Sequence, residues 1–487
     1  MLHRMRNARR GSRFGPVVAA AVTVAGAVLS AQSARPYGVG PVWWNAGQGG
    51  PLPWEESYEN PDGQVSILNR SGAVHTEGHP FFESLGTNHR ACVTCHQPSN
   101  GMSVSAASVR ERWNETDGRD PVFAAVDGSN CPDLPQGAAS SHSLLLDRGL
   151  FRIILPWPPK AVDGTLMKPE FRIEVIRDPT GCNTSPIHGL KSNTPVISVY
   201  RRPRIAANLE YVIAGPDGTT FMADGREPSL RTQAVTAVMV HQQAARPPTP
   251  EQLRQIIDFE NQVYAAQSSD IRGGRLNEKG GPLALGTENL ASGKAGNLGG
   301  DSGSPVFLSF DVWRKRTGDG DLGLQREFRA SVARGSDVFF TRRFRIGDAS
   351  APEKMGSGNP GMYTCAACHA SGTRRWMDIG TTNLPPAVAS PHLPLFRITC
   401  DPAAPPHPLL GRVFYSQDPG RALISGKCAD VGSIVLQQLK ALAARPPYFS
   451  NGSARSLRDV VDFYDRRFEI GYSEQEKQDL TNFLRVL

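Results

Sequence analysis

The chain contains Cys92-Val93-Thr94-Cys95-His96, and the same pattern returns as Cys365-Ala366-Ala367-Cys368-His369. Two thiols three positions apart can add across the two vinyl groups of one porphyrin, and the adjacent histidine then meets the iron as its proximal ligand. The pattern therefore predicts two covalently bound haem c groups, attached at Cys92 and Cys95 and at Cys365 and Cys368, with His96 and His369 on iron. A structural zinc shared by the four cysteines is the rival. Zinc modules usually keep their pairs about 12 to 20 residues apart, and zinc gives no reason for a histidine after both pairs. A thioredoxin-like dithiol is weaker still, because no strand-then-helix pattern surrounds either pair.

Working outward, the N-terminus predicts export. Arg4, Arg6, Arg9, Arg10 and Arg13 make a basic start, and Val17 to Leu29 is apolar. Ala31-Gln32-Ser33 is an A-x-A-like cleavage site. The reading is a signal peptide over 1–33 and a periplasmic protein; the alternative is a membrane anchor, for which the stretch is short. Arg9-Arg10 hints at a twin-arginine signal, but the following residues fit it poorly. In an oxidising compartment, the even remainder of cysteines suggests two disulfides. Sequence order favours Cys131–Cys182 and Cys400–Cys428, against four free thiols.

The chain has 487 residues, with 49 Gly and 39 Pro, and a net charge of +7. That composition predicts many loops around a modest set of helices. The charge is compatible with an acidic redox partner, with a solvated basic surface as the plain alternative. No basic run is interleaved with aromatics, so nucleic-acid binding is not expected.

Residues 34–80 read as an extended arm, and Phe151–Leu155 and Phe171–Ile176 as short strands. Thr249-Pro250-Glu251-Gln252 is a helix start, with Leu253, Ile256, Ile257, Val263 and Tyr264 on one face. Residues 268–304 read as a Gly-rich loop. Leu457, Val460, Val461 and Tyr464 form a helical stripe. Ser473-Glu474-Gln475-Glu476 opens another helix, with Leu480, Phe483, Leu484 and Leu487 inward. The expected fold is mainly α: two cytochrome-c-like haem domains, 81–325 (with insertions) and 326–487, with long loops and a few short strands.

Further blocks carry a resemblance. They are Ser192-Asn193-Thr194-Pro195, Asp224-Gly225-Arg226 with Leu230 and Gln233, and Arg334-Gly335 before the second motif. Pro447-Tyr448-Phe449-Ser450-Asn451-Gly452 with Leu457 and Val461 completes the set. In this order around two haem motifs, the chain resembles the bacterial di-haem cytochrome c peroxidases and their MauG-type relatives over most of its mature length. The resemblance implies that the N-terminal haem meets hydrogen peroxide or a related oxidant, and that the C-terminal haem passes electrons to it. It also implies a small redox protein, a cytochrome c or cupredoxin, as donor, and a homodimer. A calcium ion with Asn193 among its ligands is implied too; a turn residue is the plain alternative.

Departures from the family pattern sharpen the expectations. Ala223 stands where many members carry a tryptophan between the haems. Val240-His241-Gln242-Gln243 replaces a Glu-Met pair, which makes His241 the candidate acid–base group. The alternatives for His241 are a structural histidine and a sixth iron ligand; a comparable histidine occurs in the rubber-oxygenase branch. No histidine follows the first motif until His142, so the first haem is expected to be open. Met377 or Tyr448 is the candidate sixth ligand of the second, each with a plain packing role as alternative. Gly300-Asp301-Ser302-Gly303-Ser304-Pro305 resembles a serine-protease nucleophile segment, but no matching histidine segment precedes it, so it reads as a loop. Three functions stay open: peroxidase-type oxidoreductase, haem-dependent oxygenase, and di-haem electron carrier without its own substrate chemistry.

Overall fold

The computed structural model describes residues 42–161, 163–213, 220–293, 309–315, 323–347, 361–369 and 375–487. The signal segment and the Gly300–Pro305 segment lie outside the described residues.

Strands are more prominent than the sequence suggested. The described residues are 32% helix and 20% strand, with many small antiparallel sheets. This corrects the expectation of a mainly α pair of cytochrome-c-like domains; no haem-binding cytochrome fold is evident among the described residues. The physical reason is long-range pairing. Glu55–Asn60 and Gly63–Asn69 form a hairpin within the expected arm, and Gly63–Asn69 also pairs with the distant Val263–Asp270. Phe171–Arg177 pairs with Leu395–Cys400, which pairs in turn with Val413–Ser416. Phe151–Pro156 pairs with Val196–Arg201. Such partners supply hydrogen bonds and a covered face that no local window reveals.

Helix starts follow their local chemistry. Ser229, Thr249, Ser456 and Ser473 each accept a hydrogen bond from the third backbone N–H of the helix they open, which satisfies donors that a helix start leaves unpaired. The helix opened by Thr249 ends at Gln262, not beyond Tyr264. Val263 is already extended, at φ −94° and ψ 131°, and begins a strand. Here a β-branched residue with a waiting partner strand overrides the helical spacing.

Gly323–Thr341 crosses Glu474–Val486 at close range. A Cβ on Gly335 would lie 2.0 Å from the Asp479 carbonyl oxygen. Beside it, Arg334 donates two hydrogen bonds of 2.8 Å to the Asp479 carboxylate. The Arg334-Gly335 pair is therefore a helix-crossing device.

The structure pairs Cys131 with Cys182 and Cys400 with Cys428, and leaves the four motif cysteines without disulfides. Residues 38–487 form one compact unit. Among the described residues no helix is long and apolar enough to cross a membrane.

Candidate functional site

The first motif lines a cavity whose empty volume, mouth included, is about 1460 Å³. Cys92–Thr94 is a single tight turn, held where the Ala91 N–H donates to the Thr94 hydroxyl at 3.0 Å. His96 Nδ1 lies 3.1 Å from the Met102 carbonyl oxygen. A carbonyl only accepts, so Nδ1 carries the proton and Nε2 keeps its lone pair, as an iron ligand requires. Burial pushes the His96 pKa down to about 4, so the ring is neutral.

His241 ends the Leu230–His241 helix and lines the same cavity. Its Nδ1 is 2.5 Å from the Asp127 carboxylate. Asp127 is buried and also ion-paired with Arg90, whose guanidinium donates to the Pro121 and Val122 carbonyls as well. Burial alone would raise the Asp127 pKa, but the Arg90 charge and the His241 hydrogen bond outweigh it and hold it below the usual range. An ionised Asp127 thus fixes one face of the His241 ring and leaves Nε2 for chemistry. Glu260 also lines this cavity and is 6% exposed. Its Oε2 has no hydrogen-bond partner. Burial pushes its pKa up to about 8, so the carboxyl keeps its proton at neutral pH.

The second motif lines a separate cavity whose empty volume, mouth included, is about 1650 Å³. Burial again pushes the His369 pKa down to about 4, and His369 Nδ1 has no hydrogen-bond partner. Met377 and Tyr448 both line this cavity. The Tyr448 hydroxyl donates to the Leu442 carbonyl at 3.0 Å. With the cysteine pairs in different cavities, a four-cysteine zinc site is not formed. Among the described residues no group of three or more His, Cys, Asp or Glu is placed to hold a metal ion. Asn193 is exposed, in the turn before the Val196–Arg201 strand.

The two cavities are built on one plan. Phe221-Met222-Ala223-Asp224-Gly225 and Tyr448-Phe449-Ser450-Asn451-Gly452 form the same loop. Met222 and Phe449 have φ of 66° and 67°, and Gly225 and Gly452 of 66° and 60°. Each loop closes with an antiparallel bridge, Phe221 to Glu227 and Tyr448 to Ala454. Each then enters a serine-capped helix that lines its cavity. Leu230, Gln233, Ala234, Ala237 and His241 stand in register with Leu457, Val460, Val461, Tyr464 and Phe468, and all ten line their cavities. The next helix repeats the match. Phe259 meets Phe81 at 4.6 Å, and Phe483 meets Phe339 at 5.3 Å. Phe81 and Phe339 lie 6.4 and 6.3 Å from His96 and His369, both at 44°.

In that register Glu260 corresponds to Leu484, His241 to Phe468 and Ala237 to Tyr464. At these three positions the first cavity carries a small or polar side chain where the second carries an aromatic or aliphatic one. Neutral, half-buried imidazoles beside paired thiols fit the chemistry of two c-type haems. Sequence reading selected His241 but missed Asp127 and Glu260. The signal that exposes Glu260 is the internal repeat, which sets a carboxyl against a leucine. Ala223 lines the first cavity, and its carbonyl accepts from the Val435 N–H at 2.8 Å. No family model matches the chain, and no curated protein matches it.

Proposed function

We propose that the chain is an exported di-haem c-type cytochrome that reduces hydrogen peroxide at the first cavity, with electrons entering through the second from a small redox protein. The observation that carries this reading is the contrast between two cavities of one plan: Ala237, His241 and Glu260 furnish the first, and Tyr464, Phe468 and Leu484 the second. Bound haem supplies one-electron redox chemistry and a coordination position on iron.

The remaining work falls to the chain. Ala237 leaves space for a small oxidant where Tyr464 fills the equivalent place. Hydrogen peroxide takes up two electrons and two protons and leaves as two waters, the electrons coming from two molecules of the reduced donor. His241 Nε2, held by the Asp127 contact, accepts a proton from one peroxide oxygen and returns it to the departing one. Glu260 holds a further proton inside the cavity at neutral pH. In the second cavity the aromatic rings exclude water and oxidant, which suits electron passage without side reactions.

The test is peroxide consumption by the holoprotein with a reduced cytochrome c or cupredoxin as donor. His241→Ala should lower the rate about 10²- to 10⁴-fold, the usual yield of a positioned acid–base group. No peroxide consumption by the parent protein with either donor would sink the reading.

A further inference from the structure

Arg202, Pro203 and Gln438 line both cavities, so they belong to the partition between them. There lie Arg202 and Arg445, both buried, and Arg204, partly buried; none of the three forms an ion pair with a carboxylate among the described residues. Arg202 donates to the carbonyls of Arg148, Val104 and Arg445, at 3.2, 2.6 and 2.9 Å. Arg204 lines the first cavity and donates to the carbonyls of Val435 and Leu436, at 2.8 and 2.5 Å. Arg445 lines the second and donates to the carbonyls of Gln438 and Lys440. Carbonyls satisfy the N–H groups but carry no net charge.

The nearby carboxylates are engaged elsewhere. Asp224 pairs with Arg201 and Arg226 at 2.6 and 2.7 Å, and Asp418 pairs with Arg201 at 2.6 Å. Asp378, in the second cavity, bonds the Ser450 hydroxyl and the Gly380 N–H. Burial pushes the Arg202 pKa down to about 9, helped by the Arg445 charge, and burial pushes Arg204 and Arg445 to about 10. Taking an unpaired charge out of water is costly, and three around one wall call for anions that no carboxylate among the described residues provides.

A c-type haem carries two propionates on the edge opposite its thioether bonds. We propose that Arg202, Arg204 and Arg445 are the propionate-binding residues of the two haems, and that Arg202 serves both haems from the partition. The inference rests on the di-haem reading. It makes the partition an electrostatic link, because one guanidinium balances carboxylates on both sides.

The test begins with haem content of the purified holoprotein, measured as its pyridine haemochrome. Absence of two covalent haems would overturn the di-haem reading itself, separately from the arginine assignment. With two haems present, the midpoint potential of each is measured in single variants. Losing a cation beside a propionate disfavours reduction. Arg204→Gln should lower the first potential alone, Arg445→Gln the second alone, and Arg202→Gln both. Each shift should correspond to about tenfold in the reduction equilibrium, roughly 59 mV for one electron. The Arg→Lys variants keep the charge and should stay near the parent. Loss of haem loading in a Gln variant with rescue by Lys also supports the assignment. Unchanged potentials in fully loaded Gln variants would overturn it.

One measurement needs no variant. With carbon-13 in the propionates, infrared spectra of the parent should show ionised carboxylates at about pH 4, where an ordinary glutamate is more than half protonated. Mainly protonated bands there would overturn the assignment.

Discussion

At the residue scale, the first cavity is defined by what replaces an apolar side chain. Glu260 occupies the register of Leu484, and a leucine would bury at no electrostatic cost. The glutamate is accommodated by staying protonated. Its folded pKa, about 8, lies above the ordinary glutamate value of 4.5, so the fold binds this proton more tightly than the unfolded chain does. The resulting stabilisation is complete below the unfolded pKa and is lost as pH rises through about 8. Denaturant unfolding of the holoprotein should therefore show a decline in stability between about pH 5 and 8. Glu260→Gln, which has no proton to lose, should flatten that decline. An equal decline in the variant would mean that other groups carry it. His241 was visible in the sequence because it falls where members of the resembling family carry a Glu-Met pair. Asp127, which orients it, was not visible: it lies far from His241 in sequence, in a turn whose neighbours carry no motif.

At the element scale, the helix starts were legible because a cap is a short-range signal that needs no partner. The sheets were not, because Phe171–Arg177 finds its partner only at Leu395–Cys400. The same locality explains why the helix after Thr249 was read too long. The crossing of Gly323–Thr341 over Glu474–Val486 depends on Gly335, where a Cβ would meet backbone rather than a movable side chain. Alanine usually improves a helix by about 1 kcal/mol over glycine. Here the added methyl must push the helices apart, an overpacking cost of typically about 1–3 kcal/mol. Gly335→Ala should thus destabilise the protein despite the better propensity, as read by the midpoint of urea unfolding. A midpoint at or above the parent value would show that the crossing tolerates separation.

At the scale of the whole molecule, one plan is used twice and furnished differently. The two Cys-x-x-Cys-His motifs are alike in pattern, and the sequence set them apart only through the family resemblance and the lack of a histidine soon after the first. The repeat around them, in matching loops, helices and phenylalanine pairs, sets Ala237, His241 and Glu260 in the first cavity against Tyr464, Phe468 and Leu484 in the second. The difference predicts which haem can take a small exogenous ligand, and carbon monoxide binding to the fully reduced holoprotein tests it most directly. The account predicts one carbon monoxide per chain, bound at the first cavity and lost in Ala237→Tyr, which installs the side chain of the second cavity's Tyr464. Two carbon monoxides per chain, none, or one that persists in Ala237→Tyr would contradict it.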